Sequence, residues 1–209
     1  MKSKLVSLLL SFTSAVLLSG QNVLKPEATY TSALSPEDRF DESASEVPAF
    51  DPITGRVFIS NDANTSLEVL QLDEVNGKPT LSYLFNLDLS TIGGGVNAVS
   101  VSNGLVAVAV QNSNKQANGK VAIFSTNVSA GGSPLATPTV GALPDHLTFT
   151  NDGSKIVVAN EGEPNDDYDV DPKGSISIVN LSGSAGTGIS TNVTTLDFTS
   201  YNSKKQMLI

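Results

Sequence analysis

Six carboxylates crowd into residues 161–171: Glu161, Glu163, Asp166, Asp167, Asp169 and Asp171. No lysine or arginine interrupts them, so the charges repel one another unless a cation neutralises them. Calcium suits such a set, because it takes about six to eight hard oxygen ligands. Asp167, Asp169 and Asp171 alternate, and a curled loop lets alternate oxygens converge, with Glu161 and Glu163 completing the candidate metal site. Pro164 and Pro172 restrict the loop and lower the cost of holding ligands in place. The pattern is no EF-hand, since Pro172 rather than glycine follows Asp171 and no helical pattern frames the loop. A solvated acidic loop between two strands is the plain alternative, and a catalytic carboxylate cluster the third.

Other chemistries find little provision. The absence of cysteine removes disulfides, thiolate nucleophiles, zinc–thiolate sites and iron–sulfur clusters. The single histidine, His146 beside Asp145, reads as a structural or surface residue: no Gly-x-Ser-x-Gly elbow supplies a nucleophile. A two-metal phosphatase would draw on several histidine and aspartate ligands, so the sequence leans against an enzyme and assigns no catalytic residue. The triple glycine 93–95 precedes a strand without a following helix or lysine, so it reads as a turn between units rather than a phosphate cradle. A net charge of −9 offers no basic stripe to phosphates and excludes nucleic acid as a partner class.

These residues sit on a chain whose start carries an address. Lys2 and Lys4 precede an apolar run at 5–18, followed by Ser19 and Gly20. This is the layout of a secretory signal peptide, residues 1–20, and the run is shorter than the ~20 residues of a spanning helix. The mature chain is thus expected to be exported, secreted or at the cell surface, without a transmembrane segment. Residues 21–45 form an N-terminal extension. Four N-x-S/T sequons, at Asn64, Asn127, Asn180 and Asn192, could carry glycans in a eukaryotic host.

From residue 46 the sequence repeats. Thr54-Gly55, Asn103-Gly104 and Asp152-Gly153 are hairpin turn pairs, spaced by 49 residues and flanked by apolar, β-branched runs. After each hairpin comes a third strand (67–72, 120–124, 175–179), then a fourth (81–87, a weak one at 135–140, and 193–198). Four strands per unit at this period are the signature of a propeller blade. The expected fold is all-β: a partial β-propeller of about three four-stranded blades of ~49 residues. The incomplete propeller domain covers 46–209, with blades near 46–92, 96–140 and 145–198. An immunoglobulin-like sandwich has no reason to keep a constant repeat. Closed propellers use about 4–8 blades, so three leave open sheet faces, to be covered by other propeller blades or by a second copy.

Several segments carry a family resemblance: Glu46-Val47-Pro48-Ala49-Phe50-Asp51, Gly93-Gly94-Gly95-Val96-Asn97-Ala98-Val99, Gly141-Ala142-Leu143-Pro144-Asp145-His146-Leu147, and Val158-Ala159-Asn160-Glu161-Gly162-Glu163-Pro164-Asn165-Asp166-Asp167-Tyr168. The chain resembles the choice-of-anchor I family of secreted bacterial proteins. It is similar also to the mesenchyme-specific cell-surface glycoproteins of biomineralising animals. The resemblance implies an extracellular propeller-like domain longer than this chain, and partners among matrix, mineral or glycan. Some relatives carry alkaline phosphatase labels, which makes a secreted phosphohydrolase one alternative; a carbohydrate- or protein-binding module is another. His146 stands where the family pattern leads one to expect an apolar residue.

Overall fold

A computed structural model describes residues 26–202, apart from 33 and 40–42. The signal-peptide region lies outside the described residues. Twelve strands follow in chain order: β1 (Pro48–Asp51), β2 (Arg56–Asn61), β3 (Ser66–Val75), β4 (Lys78–Asp88), β5 (Gly95–Ser102), β6 (Leu105–Gln111), β7 (Asn118–Ser125), β8 (Thr139–Ala142), β9 (Pro144–Phe149), β10 (Lys155–Asn160), β11 (Ser175–Ser184) and β12 (Gly188–Asp197). Each successive set of four forms one antiparallel meander, giving three sheets in chain order. No strand is exchanged between sheets, as a sandwich would require. The fold is all-β and propeller-like, as the repeat predicts. The weak fourth strand of the second sheet lies a few residues beyond its expected place; Ala136 makes only an isolated bridge to Ile123.

The sheets stack face to face, and the middle one is covered on both sides. Val106, Val108 and Val110 of β6, with Ala122 and Phe124 of β7, pack on Phe58, Leu67, Val69 and Leu87 of the first sheet. Leu105, Ala107 and Ala109 of β6, with Val121 and Ile123, pack instead on Leu147, Ile156, Val158 and Val179 of the third. This explains a sequence feature. β6 reads as an unbroken run of apolar residues because neither of its faces meets water.

Side chains stitch neighbouring sheets together at their edges. The Arg56 guanidinium lies over the Phe85 ring, 5.7 Å from its centroid. From there it donates to the carbonyls of Thr126 and Val128, at 2.8 and 2.6 Å, in the loop after β7. Asn103 and Gly104 both take positive φ, 50° and 76°, the geometry of a tight hairpin turn. The Asn103 amide donates to Asp152 O at 3.1 Å, joining this turn to the equivalent one 49 positions on.

Carboxylates hold two of the repeated turns. Asp51, only 2% exposed, accepts from the Thr54 hydroxyl at 2.7 Å and from the N–H groups of Ile53 and Thr54, both at 3.3 Å. Burial alone would raise its pKa, but these donors outweigh it and hold the group below its ordinary value. At the third turn the Thr150 hydroxyl, then the Ser154 N–H and hydroxyl, lower the Asp152 pKa to about 2. Both groups titrate lower folded than unfolded, so their contribution is present above pH ~4 and is lost as pH falls through the folded pKa. Asp51→Ala is expected to cost about 1–3 kcal/mol at pH 7. In thermal melts taken from pH 6 downward, the gap between wild type and this variant should narrow below pH ~4; a constant gap would show that the charge does not matter.

Candidate functional site: the acidic β10–β11 loop

The third sheet hangs the acidic segment between β10 and β11. Its root is rigid. Glu161 N donates to Leu143 O at 2.9 Å and Gly162 N to Ala142 O at 3.3 Å, tying the loop to the end of the second sheet. Gly162 adopts φ +69°, and a Cβ there would lie 2.5–2.7 Å from Pro172 O, Lys173 C and Gly174 N. Only glycine lets the two arms of the loop approach so closely. Further out, Asn165 organises the tip: its side-chain oxygen accepts from the N–H groups of Asp169 and Val170, at 3.2 and 3.1 Å. Its amide donates to Asp169 Oδ1 at 2.6 Å. Gln116, from the β6–β7 loop, donates to Glu163 O at 3.2 Å.

The five predicted ligands, Glu161, Glu163, Asp167, Asp169 and Asp171, all lie on this one loop and all are exposed. Asp166 is exposed as well. They share a region without converging on a point: among the described residues no three histidine, aspartate or glutamate side chains are grouped as a metal centre. Two shallow grooves flank the loop. One is lined by Gly162, Asp171, Lys173, Phe198 and Asn202. The other lies between Asn114–Gln116 and Glu163–Asp166.

His146 sits exposed on β9, in register with Ala159 on the side of the third sheet turned away from the middle one. It touches none of the acidic set through any hydrogen bond. Of the triple glycine, Gly93 and Gly94 end the β4–β5 connection, a turn between sheets, and Gly95 opens β5 opposite Gln111. Of the sequon asparagines, Asn64, Asn127 and Asn192 are exposed. Asn180 and Asn192 face each other across β11 and β12, where the Asn180 amide donates to Asn192 O at 3.2 Å.

Sequence reasoning missed two buried polar groups. Asn160, 3% exposed, donates from its amide to Ser177 Oγ at 2.9 Å and Ser175 Oγ at 3.1 Å, fixing β10 to β11 at the loop's root. Its equivalents 49 and 98 positions earlier are Gln111 and Asp62. Asp62 Oδ1 accepts from Val96 N at 2.8 Å. Polar residues recurring at the repeat spacing were the signal that could have found this set. Glu68, 2% exposed in the first sheet, gave no such signal.

No helix among the described residues is long and apolar enough to cross a membrane. Solved structures with a similar course of chain include a luciferin-regenerating enzyme, at 16% identity and TM-score 0.46, covering 65% of this chain and 44% of that one. A hypothetical selenium-binding protein from Sulfolobus tokodaii shares 12% identity at TM-score 0.44, over 72% of this chain and 40% of that one. Hydrazine synthase from Kuenenia stuttgartiensis shares 13% at 0.39, over 74% and 54%. The chain thus spans between 40% and 54% of the length of these structures. No curated protein matches it. The choice-of-anchor I domain matches residues 46–209, and through that match over most of its length the chain belongs to the choice-of-anchor I family.

Proposed function

We propose that this chain works outside the cell as a non-catalytic surface or matrix domain, and that its acidic loop takes up calcium. The observation that carries the reading is the exposed loop of six carboxylates rooted on a rigid stack of sheets. The donor set fits the ion: it is all oxygen, it is short of countercharge, and it comes from two arms held together at Gly162. Glu161 and Glu163 on one arm, with Asp167, Asp169 and Asp171 on the other, would supply the ligands. Uptake would draw those arms together, the kind of change a matrix or mineral surface rich in calcium would also induce. Glycans on Asn127 and Asn192 would be compatible with the same setting.

The partner side of the reading rests on the third sheet. Ile176, Ile178 and Val157 point away from the middle sheet and are half-buried; Leu196, in register with Ile176, is 52% exposed. That face is shaped to take a further sheet, as the middle sheet takes the third.

Calcium at about a hundredfold over its Kd would stabilise the fold by about 2.7 kcal/mol. A chelator is therefore expected to lower the melting temperature of the protein, and Asp167→Asn combined with Asp171→Asn to remove that response. An unchanged melt on chelation discards calcium. Turnover of a phosphate ester, abolished by changing Asp167 or Glu161, would replace the reading with a phosphohydrolase. Binding on a glycan array without turnover would point to a carbohydrate-binding module.

A further inference from the structure

Asparagine followed by glycine occurs three times, at Asn76-Gly77, Asn103-Gly104 and Asn118-Gly119. Such a pair can react with itself. The glycine backbone nitrogen attacks Cγ of the asparagine, and a bond forms between them. The Cγ–Nδ2 bond breaks, and ammonia leaves with the proton that the backbone nitrogen gives up. Water then opens the cyclic imide at one of its two carbonyls, giving aspartate or, with the chain rerouted through the side chain, isoaspartate. Glycine permits the attack because no side chain crowds its nitrogen. Residue type treats the three pairs alike, but the fold does not.

Asn118 is locked by its strand. Gly119 is buried in β7, where a Cβ would stand 2.8 Å from Val110 O and 2.5 Å from the Pro144 ring. Closing the imide turns the intervening peptide plane, which here would break the ladder between β7 and β6. The other two pairs occupy equivalent turns. Asn76 and Gly77 take φ 53° and 74°, and Asn103 and Gly104 take 50° and 76°. Both are two-residue hairpins, closed by the register pairs Val75–Lys78 and Ser102–Leu105. Positive φ at the first position suits both hairpin turn types, so an imide forms by turning over one peptide while the hairpin stays closed. What separates the two is the side chain. The Asn103 amide is tethered to Asp152 O at 3.1 Å, across the junction between sheets. The Asn76 amide is exposed and has no hydrogen-bond partner among the described residues.

We propose that the tip of the β3–β4 hairpin is a self-modification site, at which Asn76 converts to aspartate and isoaspartate while Asn103 and Asn118 persist. The tip is placed to change without disturbing the core. β3 makes its last pair with β2 at Gln71, and residues 73–78 run on beyond it, all exposed. The product carries a carboxylate where the amide stood, two positions from Lys78. Isoaspartate also lengthens the backbone of a turn that sets the register of these outer pairs alone. On a chain that works outside the cell, the modified fraction records the age of the molecule.

The test incubates the whole wild-type chain in warm neutral buffer and follows each pair by mass-spectrometric peptide mapping. A methyltransferase specific for isoaspartyl carboxylates, used as a reagent, counts the rerouted product. Asn76 should convert about five- to tenfold faster than Asn103, the ratio one hydrogen bond supplies. It should outpace Asn118 by more than about a hundredfold, because that peptide turns only after local opening. In denaturant the three rates should converge, and the aged folded protein should keep its β6 amides protected from exchange. Asn76→Gln, whose larger ring closes more slowly, should remove the methyl label from the tip. Folded Asn103 or Asn118 reacting at the rate of Asn76 would overturn the proposal. So would a tip unconverted once the denatured chain has reacted fully, the folded ranking repeated in denaturant, lost β6 protection on ageing, or a label that survives Asn76→Gln. None of these readings depends on calcium, so this proposal and that one fail separately.

Discussion

Phe124→Ala is expected to lower the unfolding free energy by about 3–5 kcal/mol, read from urea or guanidinium titration. The ring is 1% exposed and faces the first sheet from the middle one. Alanine there leaves a void that two sheets, each held by its own ladder, cannot collapse to fill. Leu196→Ala is the matched control. That side chain is 52% exposed on the outer face of the third sheet, so its loss should stay within about 0.5 kcal/mol. The contrast tests the architecture itself. Equal effects at the two positions would mean that the middle sheet is not enclosed, and the stacked arrangement would be wrong.

The second large effect lies at the edge where the first two sheets meet. Arg56→Ala is expected to cost about 2–3 kcal/mol, because it leaves the carbonyls of Thr126 and Val128 without their donor and removes the cation from the Phe85 ring. Arg56→Lys should recover less than half of that. A lysine ammonium is a point donor and cannot place two N–H groups as the planar guanidinium does. Recovery to wild type with lysine would show that charge alone suffices and that the forked contact to the loop after β7 contributes nothing. Since the two bonded carbonyls follow β7 directly, the variant should also speed exchange in that loop ahead of global unfolding.

Much of the fold was legible because its signals are local. Turn pairs such as Asn103-Gly104 need φ > 0 at defined places, and 49-residue spacing between them sets the number of strands between turns. The weakest element, β8, was the hardest to place: Thr139–Ala142 is four residues long and pairs irregularly with β7, so periodicity had little to count. The acidic set was equally visible, since six carboxylates in one loop are a matter of composition. The Asn160 and Glu68 contacts were not. Each joins residues distant in sequence, 15–17 positions apart for Asn160 and 36 from Ser32 to Glu68, and no local pattern encodes which distant partner a polar group will meet.

The sequence by itself determined the strands, their turns, their grouping in fours and the concentration of negative charge after β10, because all of these follow from residue type and short-range spacing. It did not determine which side of each strand turns inward. In β11 the serines alternate with isoleucines, and hydrophobicity alone would bury Ile176 and Ile178. The tertiary structure instead points Ser175 and Ser177 at the middle sheet, where Asn160 satisfies their hydroxyls and Val179 packs beside them. The isoleucines lie half-buried on the side turned away from the middle sheet. That choice depends on what lies across the interface between the second and third sheets, and a strand's own residues carry no record of it.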